Sequence, residues 1–183
     1  MNTRVAHPPP EYAARVAAIH RELGIPDDYA ARFRLRLRAE AGQLESIGAD
    51  IFGRPQQMVT HAVEHWQAMQ ARAQQDEVVL LVVSAFRSLD YQHQLVSRKL
   101  AAGQRIEDIL KVNAAPGYSE HHTGCALDLT TAGYAPLETG FDTTEAFAWL
   151  TQHADRFGFR LSYPRGNVHG IAYEPWHWAC LSD

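Results

Sequence analysis

The chain is short of everything that marks a small disulfide-stapled scaffold or a membrane protein. It has 2 cysteines in 183 residues, too few for a disulfide framework. Cys125 and Cys180 read as two free, buried thiols, with pairing as the alternative. The longest apolar run, Val78 to Val83, falls far short of the roughly 20 residues that span a bilayer. The first residues, MNTRVAHPPPEY, contain no apolar signal segment. As written, the chain is expected to be cytoplasmic, or a mature envelope form whose leader was removed. Basic residues are not in surplus: Lys and Arg number 17 against 21 Asp and Glu, a net charge of −4. Without a basic patch, nucleic acid is not an expected partner. With 46% apolar and 21% charged residues the chain is neither disordered nor fibrous. Its length points to one domain, residues 1–183, with a core large enough to fold without a metal. Any metal must therefore be justified by chemistry, and the oligomeric state stays open.

Apolar spacing predicts a helix over Glu11–Leu23, stopped by Gly24, and a longer amphipathic helix over 56–74 carrying Val59, Val63, Trp66 and Met69. Phe33 to Arg38 alternates apolar and basic residues, which predicts a strand with one wet face. Glu77–Ser84 reads as a buried strand, Asp90–Ala102 and Ile106–Val112 as helices, and Cys125–Thr130 as a strand. Thr143 or Thr144 caps a helix that ends at Gly158, and Phe159–Tyr163 and Ala172–Ala179 are the last strands. This order implies an α+β fold, a small antiparallel sheet covered by helices on one side, behind a mostly helical segment over residues 1–75.

Histidine is the plentiful reactive residue, 10 in all. His61 and His65 stand at i, i+4 and could share a metal on one helix face, but no HExxH pattern accompanies them. His121 and His122 lie in a glycine-containing loop entering a strand that carries Asp128. His177 lies in a late strand, three residues after Glu174. Catalytic zinc sites combine three such ligands with an open position, and a carboxylate that is not a ligand takes the proton from water. On a regular strand Glu174 and His177 would face opposite ways. Serving one metal requires a turn or bulge at Pro175-Trp176.

Three segments carry a resemblance. Ser119-Glu120-His121-His122-Thr123-Gly124-Cys125-Ala126-Leu127-Asp128 fits SxHxxGxAxD. Glu174-Pro175-Trp176-His177 fits ExxH. Ser84-Ala85-Phe86-Arg87-Ser88, with Gln92 after it, fits an upstream S-[GA]-[YF]-R-S…Q segment. Together, over about residues 77–179, they resemble the VanY-like D-alanyl-D-alanine carboxypeptidases, zinc metallopeptidases that share a fold with lysostaphin and the hedgehog signalling domain. The resemblance implies a catalytic core over 76–183 that binds Zn²⁺ through His121, Asp128 and His177. It implies Glu174 as general base and then acid, and Arg87 as the cation that holds the substrate carbonyl. Ser119 and Gln92 would contact the substrate, a peptidoglycan stem peptide or another peptide ending in D-alanine. His122 would stand behind the ligands or face the substrate.

The expected activity is removal of a terminal D-alanine. A cell-wall endopeptidase and a D-Ala-D-Ala dipeptidase of the same fold are the alternatives, together with a non-catalytic peptide-binding module. The presence of Glu174 and Arg87 argues against the last.

Overall fold

The computed structural model of the chain describes residues 8–180; residues 1–7, on which the leader reading partly rests, and 181–183 lie outside the described residues. The N-terminal half opens with α1 (Pro10–Leu23) and a short α2 (Tyr29–Arg32). Pro10 stands in the first turn of α1, where its missing N–H costs nothing, and Gly24 ends the helix in the left-handed region. A hairpin of β1 (Glu45–Ala49) and β2 (Pro55–Met58) follows, then α3 (Thr60–Gln75). The remaining elements are β3 (Leu81–Ser84), α4 (Leu89–Ala101), α5 (Ile106–Val112), β4 (Ala126–Thr130), α6 (Glu145–His153), β5 (Phe159–Leu161) and β6 (His177–Cys180). Ser88 and Thr144 cap α4 and α6 by accepting from the backbone N–H of Tyr91 and Phe147.

The main sheet runs β3-β4-β6-β5, antiparallel throughout, as an α+β fold demands. Side chains on β4 alternate between its faces. Leu127 and Leu129 enter one core with Trp66 and Met69 of α3, Trp149 and Leu150 of α6, and Trp178 of β6. Asp128 and His177 point the other way. A second apolar cluster unites Val16, Ile19 and Leu23 of α1 with Leu89 and Val96 of α4 and Ile109 and Leu110 of α5. Helices α3 and α6 thus cover the apolar face of the sheet, as the sequence predicts, while the second cluster joins α1, α4 and α5 without a residue of the main sheet.

Three expectations change. Phe33–Arg38 is not a strand. Arg34 takes a positive φ of 52°, and the segment has no ladder partner. Its alternation survives as packing, with Phe33, Leu35 and Leu37 turned onto the second cluster. The helix expected from residue 56 starts at Thr60, because Pro55–Met58 is drawn into the hairpin with β1. The last strand begins at His177 rather than Ala172, since residues 175–176 form a turn.

Gly117, at the approach to the motif loop, has φ +87°, and a Cβ there would lie 2.7 Å from both methyls of Val16. Gly133 has a similar φ of +82° with nothing within 4 Å of a Cβ. Left-handed strain alone costs about 1 kcal/mol, and overpacking adds about 1–3 kcal/mol. Gly117→Ala is thus expected to lower the urea midpoint clearly more than Gly133→Ala. Equal shifts for the two variants would show that the Val16 contact yields freely.

Candidate active site

Asp128 and His177 are direct cross-strand partners on β4 and β6. A single turn of 3-10 helix, Glu120–Thr123, brings up His121. Ser119 starts that turn by accepting the His121 N–H on Oγ at 3.3 Å, and Gly124 closes it with φ +68°. One donor atom from each of His121, Asp128 and His177 lies within 4.8 Å of the other two, and all three side chains are buried.

The hydrogen bonds set which ring nitrogens face inward. His121 donates from Nδ1 to the Ala85 carbonyl, which leaves Nε2 with its lone pair free. That atom is buried without a hydrogen-bond partner, although it lies 3.2 Å from Asp128 Oδ1. His177 donates from Nε2 to Glu120 Oε2 at 3.1 Å, so Nδ1 is the atom left 3.0 Å from Asp128 Oδ1. A lone pair and a carboxylate oxygen face each other at that distance only with positive charge between them, as a proton or a metal ion. Burial opposes charge on His177, but the bonds with Asp128 and Glu120 outweigh it and push its pKa up to about 10. For His121, burial and then the Arg87 charge bring the pKa down to about 4. Burial also works against the Asp128 carboxylate, yet His121 and Arg87 hold its pKa well below the ordinary range. An orphaned buried imidazole nitrogen, a correctly tautomerised second histidine and an ionised carboxylate fit a divalent metal of the zinc type.

Glu120 is a functional residue that sequence reasoning passed over, because it fills an unspecified position of the motif. It fixes His177 and is itself held by Arg38, whose Nη2 lies 3.2 Å from Oε1. Burial disfavours its charge, but His177 and Arg38 prevail and bring it to about 2. His122 is fully buried. It donates from Nδ1 to the Arg87 carbonyl and accepts on Nε2 from the Gly117 N–H, so it braces the backbone behind the ligands. A second brace comes from the hairpin. Asp50 accepts from Gln56 Nε2 at 2.8 Å, and Gln56 Oε1 accepts the Ala85 N–H at 2.8 Å. The Ala85 carbonyl then holds His121. Nothing in the sequence marked Gln56.

His121, Asp128 and His177 open into a cavity of about 450 Å³ that Arg87, Gln92, Lys99, Ser119, Glu174 and Trp176 also line. Arg87 Nη2 lies 2.7 Å from Asp128 Oδ2 and its Nη1 3.4 Å from Gln92 Oε1, while Nε is buried without a partner. Gln92 is itself fully buried and donates to the Ala114 carbonyl, so it is placed as a support for Arg87 at the cavity wall. Ser119 is placed as the cap of the 3-10 turn as well as a lining residue. Glu174 and His177 do share the cavity. The His177 N–H donates to the Glu174 carbonyl at 3.1 Å across Pro175-Trp176, and this tight turn reverses the strand alternation. Burial, against the lowering effect of His177, pushes Glu174 up to about 7. Lys99, also missed, reaches the cavity from α4, and burial and the Arg87 charge lower its pKa.

Comparison with known proteins agrees with this geometry. Residues 55–183 match the family model described as VanY, D-alanyl-D-alanine carboxypeptidase. A D-alanyl-D-alanine carboxypeptidase of Enterococcus faecalis is 31% identical over 116 residues, which is 58% of this chain but 41% of that protein. The chain thus spans less than half the length of this curated relative. Among solved structures, the LdcB LD-carboxypeptidase superposes with a TM-score of 0.65 at 26% identity, covering 86% of this chain and 69% of the other. VanYB, solved in complex with D-alanine-D-alanine, gives a TM-score of 0.62 at 25% identity, with 80% and 81% covered. With the family model taking in the main sheet, the motif turn and every cavity residue named above, the chain belongs to the VanY family of D-alanyl-D-alanine carboxypeptidases.

Proposed function

We propose that the chain is a zinc-dependent carboxypeptidase that removes a terminal D-alanine from peptidoglycan stem peptides. The observation that carries this reading is the convergence of His121, Asp128 and His177 at a cavity that also contains a buried, proton-accepting Glu174. The names of the similar proteins, and the D-alanine-D-alanine bound by VanYB, support the substrate class.

When bound by these ligands, Zn²⁺ supplies Lewis acidity toward the scissile carbonyl and lowers the pKa of water. Glu174 takes a proton from the attacking water on its carboxylate and returns it to the leaving amine. A carboxyl with a pKa near the working pH does both with little cost. The Arg87 guanidinium, anchored on Asp128 and Gln92, presents a fixed cation to developing negative charge on the substrate oxygen. Lys99, whose Nζ donates to Asn113 Oδ1 at 2.5 Å, adds a second cation at the cavity wall.

The direct test supplies defined stem pentapeptide and tetrapeptide to the zinc-loaded chain and measures released D-alanine. Release from either peptide is expected, and none from both would overturn the reading. Glu174→Gln should keep its zinc and lose about 10²–10⁴ in turnover. The same variant tests the burial of the carboxyl. A raised pKa in the folded state means that stability falls as pH rises from the unfolded value of 4.5 through about 7. In metal-free protein, Glu174→Gln should therefore be more stable than wild type by about 3 kcal/mol near pH 8, and equal to it near pH 4. A pH-independent difference would contradict the assignment.

Glu120→Gln keeps the shape but removes the charge behind His177. Zinc affinity should fall by about 10–100-fold, the usual cost of losing the partner of a ligating histidine. Competition with a chelator reads this directly, and unchanged affinity would reduce Glu120 to a packing role. Arg87→Ala should retain zinc while turnover drops by roughly 10²–10³. Lysine at that position should rescue only part, since it lacks the planar fork. Wild-type kinetics for Arg87→Ala would refute its role.

A further inference from the structure

The two strands that carry Asp128 and His177 carry a second matched pair. Ala126 is opposite Ala179, so the next step outward sets Cys125 against Cys180, and the Cys180 N–H donates to the Cys125 carbonyl at 2.7 Å. By strand alternation this pair belongs to the other face. Both side chains are buried in the core with Leu127 and Trp178. In the first turn of α3, His61 points at them, with Nε2 3.3 Å from Cys125 Sγ. The two sulfurs and this nitrogen all lie within 4.8 Å of one another.

We propose that Cys125, Cys180 and His61 form a second cation site, for a thiophilic divalent ion of the zinc class, on the face of the sheet opposite His121, Asp128 and His177. Zinc holds sulfur at about 2.3 Å and nitrogen at about 2.0–2.1 Å, so tetrahedral donors stand about 3.5–3.8 Å apart. The 3.3 Å between Cys125 Sγ and His61 Nε2 is already close to that spacing, and Cys180 Sγ lies within 4.8 Å of both. Both cysteines are free thiols, and ligation releases their two protons to solvent. Two thiolates then cancel the charge of a dication, which removes the main objection to placing it against a core. The Cys180 thiol's hydrogen bond and His61 lower the pKa of Cys125 against burial, and the same bond raises that of Cys180, so the first proton leaves from Cys125 and the ion itself displaces the second. His61 is exposed on the helix, which leaves the fourth position facing water. The ion would tie α3 to the same two strands that carry the catalytic ligands on their far side.

Cobalt titration of the reduced, full-length chain tests this. The expected result is two ions per chain and a near-ultraviolet band from thiolate-to-cobalt charge transfer, which a His-His-Asp centre cannot give. Asp128→Asn should keep that band. Cys125→Ser and Cys180→Ser should abolish it and reduce the stoichiometry to one. His61→Ala, at an exposed position that does not endanger folding, should weaken the thiolate site at least tenfold while the other ion stays. One ion per chain with no charge-transfer band would overturn the proposal. So would a band indifferent to His61→Ala.

Discussion

The antiparallel pairing of β4 with β6 is the constraint on which everything else rests. It sets Asp128 opposite His177 in a fixed register, and a shift of either strand by one residue would turn its own member of the pair into the apolar core. The same register sends Leu127 and Trp178 to the opposite face, where α3 and α6 cover them. One ladder therefore positions a charged cluster on one side and builds a hydrophobic layer on the other. Burial of the second secures the geometry of the first. The remaining parts of the site arrive on short, capped turns: His121 on the 3-10 turn started by Ser119, and Glu174 on the turn that precedes β6. Neither turn has freedom to drift, because each is joined to the ladder within a few residues.

Charge is as tightly arranged as backbone. Two carboxylates, Asp128 and Glu120, bracket His177, and Arg87 and Arg38 answer each of them. Glu174 stands apart as the one buried carboxyl at the cavity pushed toward neutrality. The division follows from hydrogen bonding. Asp128 and Glu120 have donors on their oxygens, so ionisation survives burial. Glu174 has its backbone tied by Tyr163 and His177, and burial governs its carboxyl. Similar carboxyls, separated in pKa by their partners, take unlike tasks.

Much of this was legible in the sequence because the chemistry concentrates in short stretches with fixed spacing. The clustered His121, Asp128 and His177 and the cavity residues Glu174 and Arg87 all lie in three motif segments. Even the turn at Pro175-Trp176 followed from the period-two geometry of a strand. What escaped was what acts across long separations. Glu120 occupies a position the motif leaves open, and its meaning comes from His177 and Arg38, far away in the chain. Gln56 works through a backbone amide, which leaves no pattern in a single sequence. The β1–β2 hairpin hid because Glu-Ser-Ile-Gly-Ala has little strand character, and it forms because it docks beside β3, with the Ile51 N–H reaching the Val82 carbonyl. Phe33–Arg38 failed in the opposite sense. Alternation reports which side chains are buried, and a chain can satisfy it against helices without ever joining a sheet.

Arg38 carries a consequence for how such a protein can be divided. The stretch that matches the family begins at residue 55, yet Arg38 reaches from before it to the carboxylate behind a metal-site histidine. Glu40 likewise accepts the first amide of α4 at 2.6 Å, and the Ala41 N–H binds the His122 carbonyl. The unit recognised by its shared pattern is thus smaller than the unit that tunes the chemistry. A chain cut at residue 55 would keep every motif and lose the cation that holds Glu120 in place.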